Sequence, residues 1–126
     1  MAARLEHVNY TVTDPQATAA MLDRVFGWKI RWQGDSIHNG TSLHVGPENN
    51  YLALYTAGSE PSDKPQSYWT LSGLNHIGVV VDDLDAIEAK VKAEGFEPHS
   101  HADYEPGRRF YFHDADGIEY EAVQYD

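Results

Sequence analysis

The sequence contains no cysteine, which excludes disulfides, thiolate metal sites and cysteine nucleophiles and fits a reducing compartment. It is also short of positive charge. Nine Lys and Arg stand against 20 Asp and Glu, for a formal net charge of −11. So acidic a surface repels phosphate backbones and anionic lipid, so neither nucleic acid nor a membrane is expected as a partner. Neutral or cationic small molecules remain open. No stretch approaches the roughly 18 apolar residues of a membrane span, and MAARLEHVNYTV at the start holds no apolar run of signal-peptide length. A cytoplasmic protein is the expectation. There is no Gly-rich phosphate loop, no Ser nucleophile elbow and no HExxH helix, and nothing suggests a nucleotide cofactor.

What is present is a repeat. The 126 residues, 41% hydrophobic and 12% aromatic, suffice for one packed domain or two small intertwined halves. Leu5-Glu6-His7 followed by Val8–Val12 aligns with Leu74-Asn75-His76 followed by Ile77–Val81. Seven residues after each His comes an Asp, Asp14 or Asp83. Each Asp opens a helical pattern, the first through Ala17, Ala20, Met21 and Val25, the second through Leu84, Ile87, Val91 and Ala93. Gly27 and Gly95 stop the two helices. Short β-prone pieces follow in each half: Trp28–Gln33, Thr41–Val45 and Tyr51–Tyr55, then Phe96–Ser100, Arg109–His113 and Ile118–Gln124. The expected organisation is one domain over 1–126 of α+β class, with two tandem βαβββ modules at about 4–57 and 71–126 and a polar linker at about 58–70.

These residues, together with Phe110-Tyr111-Phe112-His113-Asp114-Ala115-Asp116-Gly117-Ile118-Glu119-Tyr120-Glu121, give the chain a resemblance to the vicinal oxygen chelate superfamily. That group includes glyoxalase I, bleomycin-resistance proteins, extradiol dioxygenases and fosfomycin-resistance enzymes. The resemblance runs from Leu5 to Tyr125. It implies that the modules curl a mixed sheet into a cup around one divalent metal ion, with ligands on the first and last strands. It also implies pairing of modules, within one chain or across a homodimer.

Strand alternation puts His7, Asn9 and Thr11 on one face and Val8, Tyr10 and Val12 on the other, which suits the following helix. His76 behaves likewise in the second copy. Two imidazoles at matched positions suit zinc, iron, nickel and related ions. The family pattern places its carboxylate ligand at Glu121, four residues after Gly117, and Glu119 on the same face is the fallback. The expected metal ligands are therefore His7, His76 and Glu121, and the expected metal is iron, manganese, zinc or nickel.

In the first module the position matching Glu121 falls at Ala53, which cannot ligate or carry a proton, so glyoxalase I chemistry does not transfer unchanged. Two His and one carboxylate with open positions are also the arrangement of non-haem iron(II) oxygenases. Extradiol dioxygenases carry a Tyr ten residues before the ligand Glu, which makes Tyr111 the candidate acid, base or substrate contact, with strand packing as the alternative. His101 lies near the place of a further His of that pattern.

Spacing alone does not make ligands of His99, His101 and His113, and His113 reads as a surface residue. His44 faces either the cup or solvent. Arg108 and Arg109 read as ion-pair partners before substrate anchors. Trp28, Trp32, Tyr68 and Trp69 read as core or interface packing. The leading function is a metal-dependent enzyme acting on a small oxygen-rich molecule, with dioxygenation ahead of lyase, isomerase or thiol-transfer chemistry. The alternative is a metal-free protein of the bleomycin-resistance kind, whose acidic groove sequesters a cationic molecule.

Overall fold

The order of elements repeats, strand–helix–three strands, as the sequence pattern requires. A computed structural model describes residues 3–62, 68–105 and 107–126; the middle of the expected linker and Pro106 lie outside them. The first unit holds β1 (His7–Thr11), α1 (Pro15–Phe26), β2 (Lys29–Ser36), β3 (Gly40–Gly46) and β4 (Tyr51–Thr56). The second holds β5 (Ile77–Val80), α2 (Leu84–Ala93), β6 (His99–Tyr104), β7 (Gly107–His113) and β8 (Glu119–Tyr125). Each unit is a four-stranded mixed sheet, ordered β1-β4-β3-β2 and β5-β8-β7-β6, in which only the first strand pairs parallel.

Both helices begin on an aspartate cap. Asp14 accepts hydrogen bonds from the Gln16 and Ala17 amides at 3.1 and 3.2 Å, and Asp83 accepts from the Ala86 amide at 3.1 Å, satisfying amides that have no partner inside the helix. Gly27 ends α1 in the left-handed region at φ +76°, a conformation that costs other residues a Cβ clash. Along α1 the buried positions are Pro15, Thr18, Ala19, Met21, Leu22 and Val25. The core stripe thus runs one step away from Ala17 and Ala20, because Pro15, Leu22 and Val25 fix the helix rotation.

Each helix covers one face of its own sheet. In the first unit Leu43 pairs with Leu54 and Val45 with Leu52 beneath α1. In the second, Phe110 pairs with Ala122 and Phe112 with Tyr120, all fully buried with Val91 of α2. The Phe112 ring stacks on Tyr120 at 5.2 Å and on Phe96 at 6.0 Å. By alternation, the next residue along each of these strands points to the opposite face, and that is where the chemistry sits.

Two strands depart from the sequence expectation. β2 does not stop at Gly34 but continues to Ser36, and the hairpin turns at His38 and Asn39, both at positive φ, in the sense that matches strand twist. β6 begins at His99 rather than Phe96 and runs to Tyr104. Pro98 has no amide to give a ladder, so pairing starts only after it.

Candidate metal centre

On the open face of the second sheet, six side chains form one polar constellation. Ladder pairing places Tyr111 opposite Glu121, His113 opposite Glu119 and Gly78 opposite Glu121, so β8 brings both carboxylates to the same face as the residue preceding β5, His76. The His76 Nε2 lies 3.2 Å from Glu121 Oε1. The other oxygen of Glu121 accepts from Arg109 Nη1 at 2.9 Å. Glu119 and Glu121 are both buried, and a buried carboxylate requires such partners.

His76 is oriented from its other side. Its Nδ1 is 3.3 Å from the Tyr68 hydroxyl, and that hydroxyl donates to Glu119 Oε1. The bond to Glu119, reinforced by burial, pushes the Tyr68 phenol up to about 12, so it stays a neutral donor. The effect is to hold the imidazole ring and leave Nε2 facing Glu121. An imidazole fixed through one nitrogen and presenting the other is the outer-shell pattern of metal-binding histidines.

His7 shows the same pattern in the first unit. Its Nδ1 is 2.8 Å from Glu6 Oε1, which also accepts from the Tyr51 hydroxyl at 3.3 Å. The hydrogen bond from His7 lowers Glu6 below the usual carboxylate range. His7 pairs with Tyr51 in β4, the register position that Glu119 holds relative to His76. Ala53, opposite Asn9 and His44, matches Glu121, opposite Gly78 and Tyr111. His44 is therefore the counterpart of Tyr111.

The two open faces carry different chemistry. In the first unit the rings of His7, Tyr51, His44 and Trp32 follow one another across the sheet at 4.9, 4.4 and 4.8 Å. Burial, with His7 and Arg31 nearby, lowers His44. In the second unit the same face is ionic. Tyr111 stands edge-on to His76 at 5.6 Å, and burial and the Glu121 carboxylate raise its phenol. A neutral phenol beside a ligand pair can donate a hydrogen bond or a proton to a bound molecule.

The donor set suits a divalent ion. Two ligands at right angles about an ion, each ~2.1 Å away, stand about 3 Å apart, which is the His76 Nε2 to Glu121 Oε1 separation. Of the expected ligands, His76 and Glu121 thus come together; Glu119 also faces His76, through Nδ1 at 3.9 Å. His7 lies in the other unit.

Sequence reasoning missed Tyr68 and the roles of His99 and His113. Tyr68 belongs to no periodic pattern and carries no local signal. His99 and His113 meet because β6 and β7 are neighbours, and the ligand atoms of His99, His113 and Glu119 lie within 4.8 Å of one another. His113 is exposed, as expected of a surface residue, yet its Nε2 is 3.4 Å from Glu119. His101 points away and pairs with Glu88 at 3.1 Å. Arg109 pairs with Glu121 and Arg108 with Asp85.

The sequence profile of the Glyoxalase/Bleomycin resistance protein/Dioxygenase superfamily matches residues 4–122. The chain belongs to this superfamily. No curated protein matches the sequence significantly. Among solved structures, the glyoxylase/bleomycin resistance protein/dioxygenase domain from Frankia sp. EAN1pec is similar over 100% of both chains, at 21% identity and a TM-score of 0.81. The fosfomycin resistance protein FosX from Listeria monocytogenes, complexed with Mn(II) and sulfate, is 21% identical over 100% of this chain and 95% of its own, with a TM-score of 0.76. A glyoxalase family protein from Enterococcus faecalis is 20% identical over 95% and 96%, with a TM-score of 0.75. At these identities the likeness establishes the superfamily fold, two βαβββ modules. Among the described residues, no helix is long and apolar enough to cross a membrane.

Proposed function

We propose that this superfamily member is a metal-dependent enzyme whose substrate is a small molecule with neighbouring oxygen atoms. The observation that carries the reading is the His76 Nε2–Glu121 Oε1 pair at 3.2 Å, fixed by Tyr68 on one side and Arg109 on the other. His7, with its Nδ1 already held by Glu6, is the third ligand, supplied by the same chain or by a second copy in a homodimer. A divalent ion bound there would act as a Lewis acid and template for substrate oxygens.

The chain's own residues supply the rest. Arg109 neutralises Glu121 and keeps one oxygen turned to His76. Tyr111, kept protonated by burial and by Glu121, donates to the substrate oxygen that gathers charge. Ala53 leaves no carboxylate at the first-unit position that matches Glu121, which favours chemistry needing one proton donor over the two-base exchange of an isomerase. Dioxygenation of a catechol-like substrate and opening of an oxirane both meet that condition. FosX, a fosfomycin resistance protein seen with Mn(II), makes the oxirane phosphonate the first compound to try. The −11 charge favours one second reading, sequestration of a cationic drug without metal.

The test is turnover of catechols and of fosfomycin with added Mn(II) or Fe(II). Metal-dependent product formation that falls at least about tenfold in Tyr111→Phe, with metal affinity unchanged, supports the enzyme. Absence of metal binding, with tight binding of a cationic drug, overturns it.

A further inference from the structure

The His99–His113–Glu119 cluster is a second grouping on the ionic face of β6, β7 and β8. His99 opens β6 and lies opposite Tyr111, and two residues of β6 then face one of β7 before Ala102 meets Arg109. That bulge holds Ser100 at φ +56°, and the Ser100 hydroxyl sits 2.9 Å from His99 Nδ1. His99 Nε2 is left 3.2 Å from His113 Nδ1 and 4.0 Å from Glu119 Oε2. His113 Nε2 is 3.4 Å from the same oxygen. Tyr68 occupies Oε1 of Glu119, so Oε2 is the oxygen turned toward both imidazoles.

The fold does not impose this grouping. The matching register positions of the first unit are Trp32, opposite His44, then Gly46 and Tyr51. The first sheet thus builds the same face with no donor set at these places. Bulges re-aim side chains, and here the re-aimed side chain is an imidazole with one nitrogen tethered and the other directed at a buried carboxylate. His99 and His113 are partly open to solvent, so an ion can enter and keep water ligands.

We propose that His99, His113 and Glu119 form a second divalent-metal site, distinct from the His76–Glu121 centre. Two imidazoles and one carboxylate favour a borderline ion such as zinc, nickel or copper over calcium or magnesium. Imidazole and carboxylate donors ~2.0–2.2 Å from zinc lie roughly 3.4 Å apart in a tetrahedral site. With one ligand atom from each residue, the three lie within 4.8 Å of one another. His113 Nε2 and Glu119 Oε2, at 3.4 Å, already meet that spacing, and His99 Nε2, 4.0 Å from the same oxygen, reaches it with a small turn of the partly exposed His99 ring.

The experiment is zinc binding by equilibrium dialysis on the full chain, followed by Cu(II) paramagnetic resonance. The wild type is expected to bind two zinc ions per chain. His76→Ala, or Glu121→Gln should that variant not fold, is expected to keep one. Its Cu(II) spectrum should show coupling to two imidazole nitrogens. Adding His99→Ala and His113→Ala, both partly exposed and checked by circular dichroism, should remove that ion and that coupling. A wild type with a single zinc lost on His76→Ala overturns the second site. So does an ion retained in His76→Ala that ignores His99→Ala/His113→Ala. Failure of the first centre looks different: wild-type zinc unaffected by His76→Ala yet lost with His99→Ala/His113→Ala.

Discussion

Tyr68 is where one side chain decides most. Its hydroxyl touches both His76 and Glu119, so it sets the imidazole orientation without being a ligand. Tyr68→Phe is expected to weaken metal binding ~10- to 100-fold, the usual cost of losing an outer-shell partner, with the circular dichroism spectrum unchanged. Measured Kd values for Mn(II) in the two proteins check this. Asp114 offers a test of a different kind. It accepts from the Asp116 and Ile118 amides at 2.9 and 3.0 Å and from the Tyr120 hydroxyl at 3.2 Å, yet burial still raises its pKa. A carboxyl raised in the folded state favours folding while protonated, and that contribution fades as pH rises from the unfolded value through the folded one. Asp114→Asn, which can still accept from both amides, is expected to remove this loss over the acid range. Asp114→Ala leaves the amides unpaired and is expected to cost about 1–3 kcal/mol. Urea unfolding at several pH values separates the two.

At the scale of elements, the caps and the repeat were legible and the ladder contacts were not. Asp14, Asp83 and Gly27 act through bonds within a few residues, so the sequence displays them directly. Asp14→Ala is expected to cost ~1 kcal/mol. Gly27→Ala, with no atom within 4 Å of the added Cβ, is expected to cost about 1–2 kcal/mol from the left-handed backbone alone. Thermal melts of both variants check these values. Strand ends were harder. The β2 turn uses His38 and Asn39 rather than Gly34, and the Pro98 effect moves β6 by three residues. The bulge in β6 matters most, because a one-residue shift in pairing decides which face a side chain takes. That shift is why His99 meets His113 and Glu119 while His101 turns to Glu88, a split that spacing alone cannot foretell.

At the scale of the whole molecule, two copies of one architecture have diverged in what their open faces carry. The helix-side cores remain alike, Leu43, Val45, Leu52 and Leu54 in one copy, Phe110, Phe112, Tyr120 and Ala122 in the other. The opposite faces have become an aromatic row and an ionic network. The ionic face was half visible in the sequence, since His76 and Glu121 follow from the repeat and the family pattern. The ion-pair reading of Arg109 also holds, with Glu121 as its partner, whereas Tyr68, which reaches the face from outside the strands, was not visible. The central claim is that His76 and Glu121 bind one catalytic metal. It is tested most directly by titrating Mn(II) into the full chain, following free Mn(II) by paramagnetic resonance. The background is His99→Ala/His113→Ala, so that only this centre is read. The account predicts saturable binding that disappears in His76→Ala and in Glu121→Ala. Binding that survives Glu121→Ala at full affinity would contradict it.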